Sequence, residues 1–209
     1  LLVIYFSYEH TIDISEISEN TNIHEDGFKI WNVKFKKNES GHNMLKKLKE
    51  LSLKELGKDY IFLDYKYHLK GCSVSTFHRD ITSNKTTLKT KYPTYTALIY
   101  NYKGTYFSVC PKSHKSYPFT FERPLSISGK NVGLVLFDGD LLHAGMINNI
   151  GKKRDFMQFK IVHKSDFKKL KHLNKINLYK KNDCKNSYLF NLLLRKLSYF
   201  FACFINLFN

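Results

Sequence analysis

Much of the chain alternates apolar and polar residues over short runs that are separated by turn-forming residues. A period of two is typical of half-buried β-strands, because successive side chains of a strand point to opposite faces. Many short strands with turns between them predict an antiparallel sandwich or a small barrel. The strand-like runs of the first half are 27–35, 60–67, 72–77, 92–102 and 105–110.

A helical period is found in one segment of the first half. From Asn43 to Leu56, leucine and methionine recur at helical intervals with lysines opposite, which predicts an amphipathic helix ended by Gly57. Residues 81–91 are polar and lack glycine, so we interpret them as a mobile loop. Residues 1–6 are apolar without a basic lead or a cleavage site, which favours an edge strand over a signal peptide.

The segment 132–160 carries the first candidate chemistry. An apolar run is followed by the turn signal Asp138-Gly139-Asp140 and then by His143; after turn formers at 148–153, a second strand-like run begins at Arg154. Two apolar runs separated by Asn and Gly predict a β-hairpin. Such a hairpin would bring Arg154 close to His143, so an imidazole and a guanidinium would share one end of it.

A second candidate pair is His78 and Asp80. In a strand they would project to the same side and Arg79 to the other, so they could take adjacent positions on one metal ion. With His143 they would form a set of two histidines and one carboxylate, which leaves coordination positions open and suits non-haem Fe(II). Taken alone, His78 and Asp80 are more often an exposed strand pair, and His143 is more often a hydrogen-bonded core histidine. The order of all three together with Arg154 favours the metal site.

These residues resemble the Fe(II)/2-oxoglutarate-dependent oxygenases, and more closely their phytanoyl-CoA dioxygenase-like branch. His143 follows His78 by sixty-five residues and precedes Arg154 by eleven. Lys112 stands where that branch usually has glycine. The resemblance covers residues 23–163. Its other matching segments are Asp26-Gly27-Phe28, Cys110-Pro111-Lys112-Ser113-His114, Asp138 to His143, and Asn148.

The resemblance implies a double-stranded β-helix, which is a mainly β jelly-roll (cupin-like) core with flanking helices. It implies an oxygenase that uses Fe(II), 2-oxoglutarate and O2, with ascorbate as a further reductant, and that hydroxylates a substrate with release of succinate and CO2. Phe156 departs from the family, which commonly has a small hydroxyl residue two positions after the arginine. The implied catalytic and metal-binding residues are His78, Asp80 and His143, and the predicted cosubstrate contacts are Arg154, Thr96 and Tyr100.

The composition agrees with one globular domain and a modest appendage. The chain has 209 residues, of which 43% are hydrophobic. Its four cysteines lack paired spacing, which favours a reducing, intracellular compartment such as the cytoplasm. We predict an oxygenase-like domain over residues 1–165 and a separate tail over 166–209.

The tail has two parts. Residues 164–185 are rich in lysine, which predicts a solvated helix or a flexible basic segment. In 188–208, the polar residues Asn191, Arg195, Ser198 and Asn206 would align in one stripe of an otherwise apolar helix. The longest uncharged run is too short to span a bilayer. The helix therefore either lies in an anionic membrane interface, which would make the protein peripheral to a membrane, or packs on the domain or a partner.

The formal net charge is +16, which would attract phosphates, nucleic acid or anionic lipid. The lysines are spread along the chain and no nucleic-acid-binding module is recognisable, so nucleic acid is the less favoured partner. The substrate stays open between a small molecule, a lipid, a protein side chain and a nucleobase. Two functions of other classes also stay open: a non-catalytic jelly-roll binding protein and a membrane-associated interaction protein.

Overall fold

The structure is a computed structural model that describes residues 10–36, 39–71, 76–80, 88–116, 123–130, 132–146, 154–182 and 188–201. The helices are α1 Ile14–Ile17, α2 Gly41–Leu56 and α3 Tyr188–Phe200. The strands are β1 His10–Asp13, β2 Phe28–Asn32, β3 Tyr60–Phe62, β4 Tyr65–Gly71, β5 Tyr95–Tyr100, β6 Gly104–Val109, β7 Leu125–Gly129, β8 Gly133–Asp138, β9 His143–Gly145, β10 Arg154–His163 and β11 Ile176–Asn182.

The strands form two sheets. The larger has the order β11-β4-β10-β5-β8-β2, with β3 also paired to β10, and the smaller has the order β1-β7-β6-β9. A bridge between His78 and His143 adds the segment 76–80 beside β9. From β4 to β10 the chain therefore passes through eight segments, four in each sheet. This is the strand arrangement of a jelly roll, and it confirms the predicted fold class.

The period of two along β5 explains how the core is divided. All six residues of β5 are buried. Leu98 and Tyr100 belong to the apolar cluster between the two sheets. Ala97 and Ile99 point to the other face, where the larger sheet packs against the apolar side of α2. A central strand covered on both faces is apolar at nearly every position.

The predicted helix is confirmed and begins two residues early, at Gly41. The Ser40 hydroxyl accepts a hydrogen bond from the Asn43 backbone amide at its start. Gly57 ends it with φ +91°, a conformation that favours glycine.

The predicted hairpin between 132–137 and 154–162 is wrong. β8 and β10 lie on opposite sides of β5 in the larger sheet, and β9 belongs to the smaller sheet. In a jelly roll, consecutive strands often cross from one sheet to the other, so neighbours in sequence need not pair. His143 and Arg154 still face one cavity, because they lie on inner faces of opposing sheets. The turn formers at 148–153 lie outside the described residues.

The prediction of a helix or flexible segment over 164–185 is wrong for β11 at Ile176–Asn182, while Lys164–Asp166 and Lys171–Leu173 form short 3-10 helices. β11 pairs in parallel with β4 along its whole length. The domain boundary at residue 165 stays a prediction, while β11 and α3 both contact elements that precede it.

Among the helices described, none has the length and hydropathy needed to cross a bilayer. The predictions for 1–9, 72–75, 81–87 and 202–208 fall outside the described ranges.

Candidate metal centre

Backbone hydrogen bonds fix the three predicted metal ligands. The amide of His78 donates to the carbonyl of His143, and the amide of His143 donates back to His78, each over 2.9 Å. The amide of Asp80 donates to the carbonyl of Gly139 over 2.7 Å. His78 and Asp80 leave the same side of their segment, as the two-residue spacing predicted. The segment 76–80 is thereby held against the turn that leads into β9.

The ligand atoms converge. The Oδ1 atom of Asp80 lies 3.8 Å from Nε2 of His78 and 3.8 Å from Nε2 of His143. These are the members of a group whose ligand atoms all lie within 4.8 Å of one another. One ion placed among them could therefore be bound by all three residues.

The histidine tautomers also fit a metal. Nδ1 of His143 contacts the Leu141 carbonyl at 2.9 Å, and Nδ1 of His78 contacts the Thr76 carbonyl at 3.0 Å. Since a carbonyl oxygen can only accept, each Nδ1 carries the hydrogen and each Nε2 presents a lone pair to the centre. Metal-binding histidines are commonly oriented by such a second hydrogen bond.

The second carboxylate oxygen of Asp80 is held by two residues. Oδ2 accepts hydrogen bonds from Nζ of Lys160 and from the Thr96 hydroxyl, both at 2.5 Å. Lys160 also donates to the Thr96 hydroxyl oxygen over 2.9 Å. Oδ1 is thereby left to face the histidines. Lys160, which is buried, was not predicted, although it lies an even number of residues after Arg154 and so on the same face of β10.

Electrostatics keep Asp80 and His143 in their metal-binding protonation states. Burial lowers the pKa of His143 to about 3, so its imidazole is neutral at neutral pH. Burial alone would raise the pKa of the Asp80 carboxyl. The charge of Lys160 and its hydrogen bond to Oδ2 oppose burial, and the pKa lies well below its usual range, so Asp80 is a carboxylate.

A cavity of about 200 Å³ opens beside the ligands. Arg154 lines it from β10 and is 5% exposed, with its guanidinium 4.7 Å from the centre of the Phe156 ring. It lies against Gly145, where any Cβ would come within 2.3 Å of the guanidinium. The other lining residues are Tyr67, Leu69, Thr76, His78, Asp80, Leu98, Tyr100, Phe107, Phe137, His143, Gly145, Phe156 and Gln158.

Two tyrosine hydroxyls accompany Arg154. Burial raises the pKa of both Tyr100 and Tyr102 well above the usual range, while the charge of Arg154 opposes that rise. Both therefore keep their proton at neutral pH. Tyr102 shares a hydrogen bond with Arg154, and its hydroxyl donates to the Thr105 carbonyl over 2.6 Å. Tyr102 was missed at the sequence level, because it follows β5 and its relation to Arg154 depends on the fold.

The remaining motif residues surround the centre without entering the ligand set. Arg79 points away from the ligands, as predicted, and donates to the carbonyls of Ser113 and Asp140. Gly27 has φ +83° and lies where a Cβ would collide with the His114 ring. The Asp-Gly-Phe and Pro-Lys-Ser-His segments therefore contact each other and support the turn at Asp140.

Comparisons with known proteins give fold likenesses only. No family model matches the chain, and no curated protein matches it. One similar solved structure is the iron and alpha-ketoglutarate-dependent endoperoxidase NvfI, with 7% sequence identity, coverage of 71% of this chain and 82% of that chain, and a TM-score of 0.47. A second is HygX from Streptomyces hygroscopicus with nickel and 2-oxoglutarate bound, with 15% identity, coverage of 66% and 83%, and a TM-score of 0.48. A third is the non-heme alpha-ketoglutarate-dependent epimerase SnoN from nogalamycin biosynthesis, with 9% identity, coverage of 72% and 82%, and a TM-score of 0.46. No function is transferred from them, and the resemblance to the phytanoyl-CoA dioxygenase-like branch stays a prediction.

Proposed function

We propose that this protein is an Fe(II)/2-oxoglutarate-dependent dioxygenase that hydroxylates an organic substrate. The observation that carries the proposal is the convergence of His78, Asp80 and His143 at the wall of a cavity that also holds the Arg154 guanidinium. A metal and an organic carboxylate could therefore bind side by side. The overall reaction would join 2-oxoglutarate, O2 and a substrate C–H bond to give succinate, CO2 and a C–OH group.

The donor set suits Fe(II). Two neutral imidazoles and one carboxylate on one face of an ion leave its other positions open, which is typical of non-haem iron oxygenases. When bound, the iron would supply the activation of O2. The chain supplies ligand geometry: Lys160 and Thr96 restrain Oδ2 of Asp80, so Oδ1 would be the binding oxygen.

Arg154 would anchor the distal carboxylate of 2-oxoglutarate. A guanidinium gives paired donors that match a carboxylate, and burial in the cavity wall strengthens this pairing. Phe156 cannot donate a hydrogen bond. The protonated hydroxyl of Tyr100 lines the same cavity and could take the role of the family's hydroxyl residue. Thr96 stays a predicted cosubstrate contact, although its hydroxyl proton is given to Asp80.

The cavity wall favours an apolar group at the reacting carbon of the substrate. Its side chains include Leu69, Leu98, Phe107 and Phe137, and Gln158 adds an amide. Apolar walls with a few polar groups are typical of small-molecule sites. We therefore expect a C–H bond on an aliphatic or aromatic portion of the substrate.

The first test is formation of succinate from 2-oxoglutarate by the purified protein with Fe(II), O2 and ascorbate. We expect iron-dependent succinate even without a prime substrate, and its loss in the His78→Ala/Asp80→Ala double variant. Fe(II) and 2-oxoglutarate binding are measured in parallel by calorimetry under anaerobic conditions. If neither ligand binds the wild-type protein, the oxygenase is ruled out and the non-catalytic binding protein is the better description.

The second test concerns the cosubstrate anchor. Replacing Arg154 with Ala should raise the KM for 2-oxoglutarate by at least about tenfold, since one charge-assisted pair is worth roughly 1.5–3 kcal/mol. Arg123→Ala is the matched control, because Arg123 is exposed and does not line the cavity. An unchanged KM in Arg154→Ala would mean that Arg154 does not anchor 2-oxoglutarate, and it would not affect the assignment of the metal ligands.

A further inference from the structure

α3 packs on the jelly roll through its polar side. The polar stripe predicted from the sequence is the buried face: Asn191 is 1%, Arg195 2% and Ser198 2% exposed. Six of the large apolar residues at 189–201 point outward, whereas Tyr199 packs on Phe77. Their exposed fractions are Leu189 74%, Phe190 47%, Leu193 54%, Leu197 45%, Phe200 51% and Phe201 51%.

The buried polar residues bind the segments that carry the metal ligands. Ser198 Oγ accepts the backbone amide hydrogen of Phe77, the residue before His78, over 2.7 Å. Arg195 donates to the Gly145 carbonyl and to Ser108 Oγ, both over 2.6 Å, and its guanidinium lies 4.6 Å from the centre of the Phe77 ring. α3 is therefore a fixed part of the fold with its apolar face directed away from it.

We propose that this outward face of α3 binds an anionic membrane surface. Six large apolar side chains on about 20 Å of helix form a continuous patch of the kind that inserts into the boundary between lipid headgroups and acyl chains. An amphipathic helix normally keeps its polar side toward water. Here the protein covers the polar side, and the apolar side is left for the lipid.

The positive charge of the chain favours an anionic lipid surface over a second copy of the chain as the partner of this face. From residue 164 to the end the sequence has ten Lys or Arg and two Asp. α3 contains no acidic residue, and of its two basic residues Lys196 is the one that is not buried against the jelly roll. A net charge of +16 on each chain opposes self-association through this face. The same charge attracts phosphatidylserine or phosphatidylinositol headgroups.

The test is co-sedimentation of the full chain with phosphatidylcholine vesicles that contain phosphatidylserine, and with vesicles of phosphatidylcholine alone. The wild-type protein should sediment with the anionic vesicles, and high salt should reduce its bound fraction, because exposed charges are screened. The Leu193→Gln/Leu197→Gln variant should bind on the order of tenfold less, since two apolar side chains no longer enter the lipid.

Leu178→Gln is the matched control. Leu178 is 53% exposed but lies on β11 in the larger sheet, so its replacement should leave binding unchanged. All replaced leucines are exposed, and an unaltered circular dichroism spectrum and melting temperature would verify the fold. Equal sedimentation of the double variant and the wild type would overturn the proposal. So would a wild-type dimer in gel filtration that the double variant abolishes, because a second copy would then cover the face. The test is independent of the proposed oxygenase activity.

Discussion

At the residue scale, Lys160 decides how Asp80 can serve as a ligand. The Asp80 carboxylate is buried, and the Lys160 ammonium is the strongest of the neighbouring charges that keep it ionised. A metal ligand must be deprotonated, so anything that favours the protonated carboxyl competes with the ion. Lys160 also occupies Oδ2 and thereby limits rotation of the carboxylate.

Lys160→Met should therefore lower metal affinity by about 10- to 100-fold, the usual effect of losing a residue that orients a ligand. Co(II) binding, followed by its visible spectrum, measures this without turnover. Lys66→Met is the control, since Lys66 is exposed on β4 in the same sheet. Tighter Co(II) binding in Lys160→Met would mean that repulsion between the ammonium and the ion outweighs its effect on Asp80.

Lys112 stands where the sequence pattern that this segment resembles usually has glycine. It has φ +62°, a left-handed conformation that favours glycine, and its amide donates to the Asp26 carbonyl over 2.9 Å. Lys112→Gly should raise the free energy of unfolding by about 1 kcal/mol, because the Cβ strain is relieved. Urea unfolding measures the change, with Lys115→Gly in the same turn as control. A loss of stability in Lys112→Gly would mean that the lysine side chain contributes more than the strain costs.

The residues that the sequence could identify are those whose role follows from local spacing. His78 and Asp80 share a side because strands alternate, and Arg79 points away for the same reason. The contact of Lys160 and Thr96 with Asp80 was not predictable, because it joins three segments that are adjacent only after β5 and β10 pair. The spacing of residues in the sequence can predict the side chains of a candidate site, whereas the residues that support them depend on strand register.

At the scale of elements, the alternation of apolar and polar residues predicted most of the strands, but it did not predict which strands pair with each other. β8 and β10 were expected to form a hairpin because two apolar runs flank turn formers, but such runs carry no information on which sheet each strand joins. β11 was missed for a different reason: it is an edge strand whose described residues are largely exposed, so Lys180 and Lys181 mask the pattern. Edge strands rich in lysine are a common protection against aggregation.

α3 provides the prediction at this scale. Arg195→Met should lower the free energy of unfolding by about 2–3 kcal/mol, since it removes hydrogen bonds of a buried charged group to Gly145 and Ser108. Gly145 also contacts Arg154, so a weaker affinity for 2-oxoglutarate should accompany the loss of stability. Thermal unfolding and 2-oxoglutarate calorimetry measure the two effects. Lys196→Met, on the same helix, is the control; equal stability of both variants would show that α3 contributes little to the fold.

At the scale of the whole molecule, the buried imidazole of His143 links folding stability to pH. In the folded chain the pKa of His143 is lowered from 6.5 to about 3, chiefly by burial. Between these values the unfolded chain binds a proton at this residue that the folded chain does not. Stability therefore rises with pH across this window and is lost as the pH falls, by at most about 1.4 kcal/mol per pH unit.

His143→Gln isolates this contribution, because the amide does not titrate. Urea unfolding of the metal-free protein from pH 7 downward should show a steeper loss of stability for the wild type than for the variant. The two slopes should differ by up to about 1.4 kcal/mol per pH unit, which corresponds to the uptake of one proton on unfolding. A divalent metal should raise the stability of the wild type but leave the slope that His143 contributes unchanged, since this imidazole is already neutral in the metal-free folded chain. Parallel curves for the two metal-free proteins would mean that His143 is protonated in the fold, and the centre would then have to lose a proton before it could bind an ion.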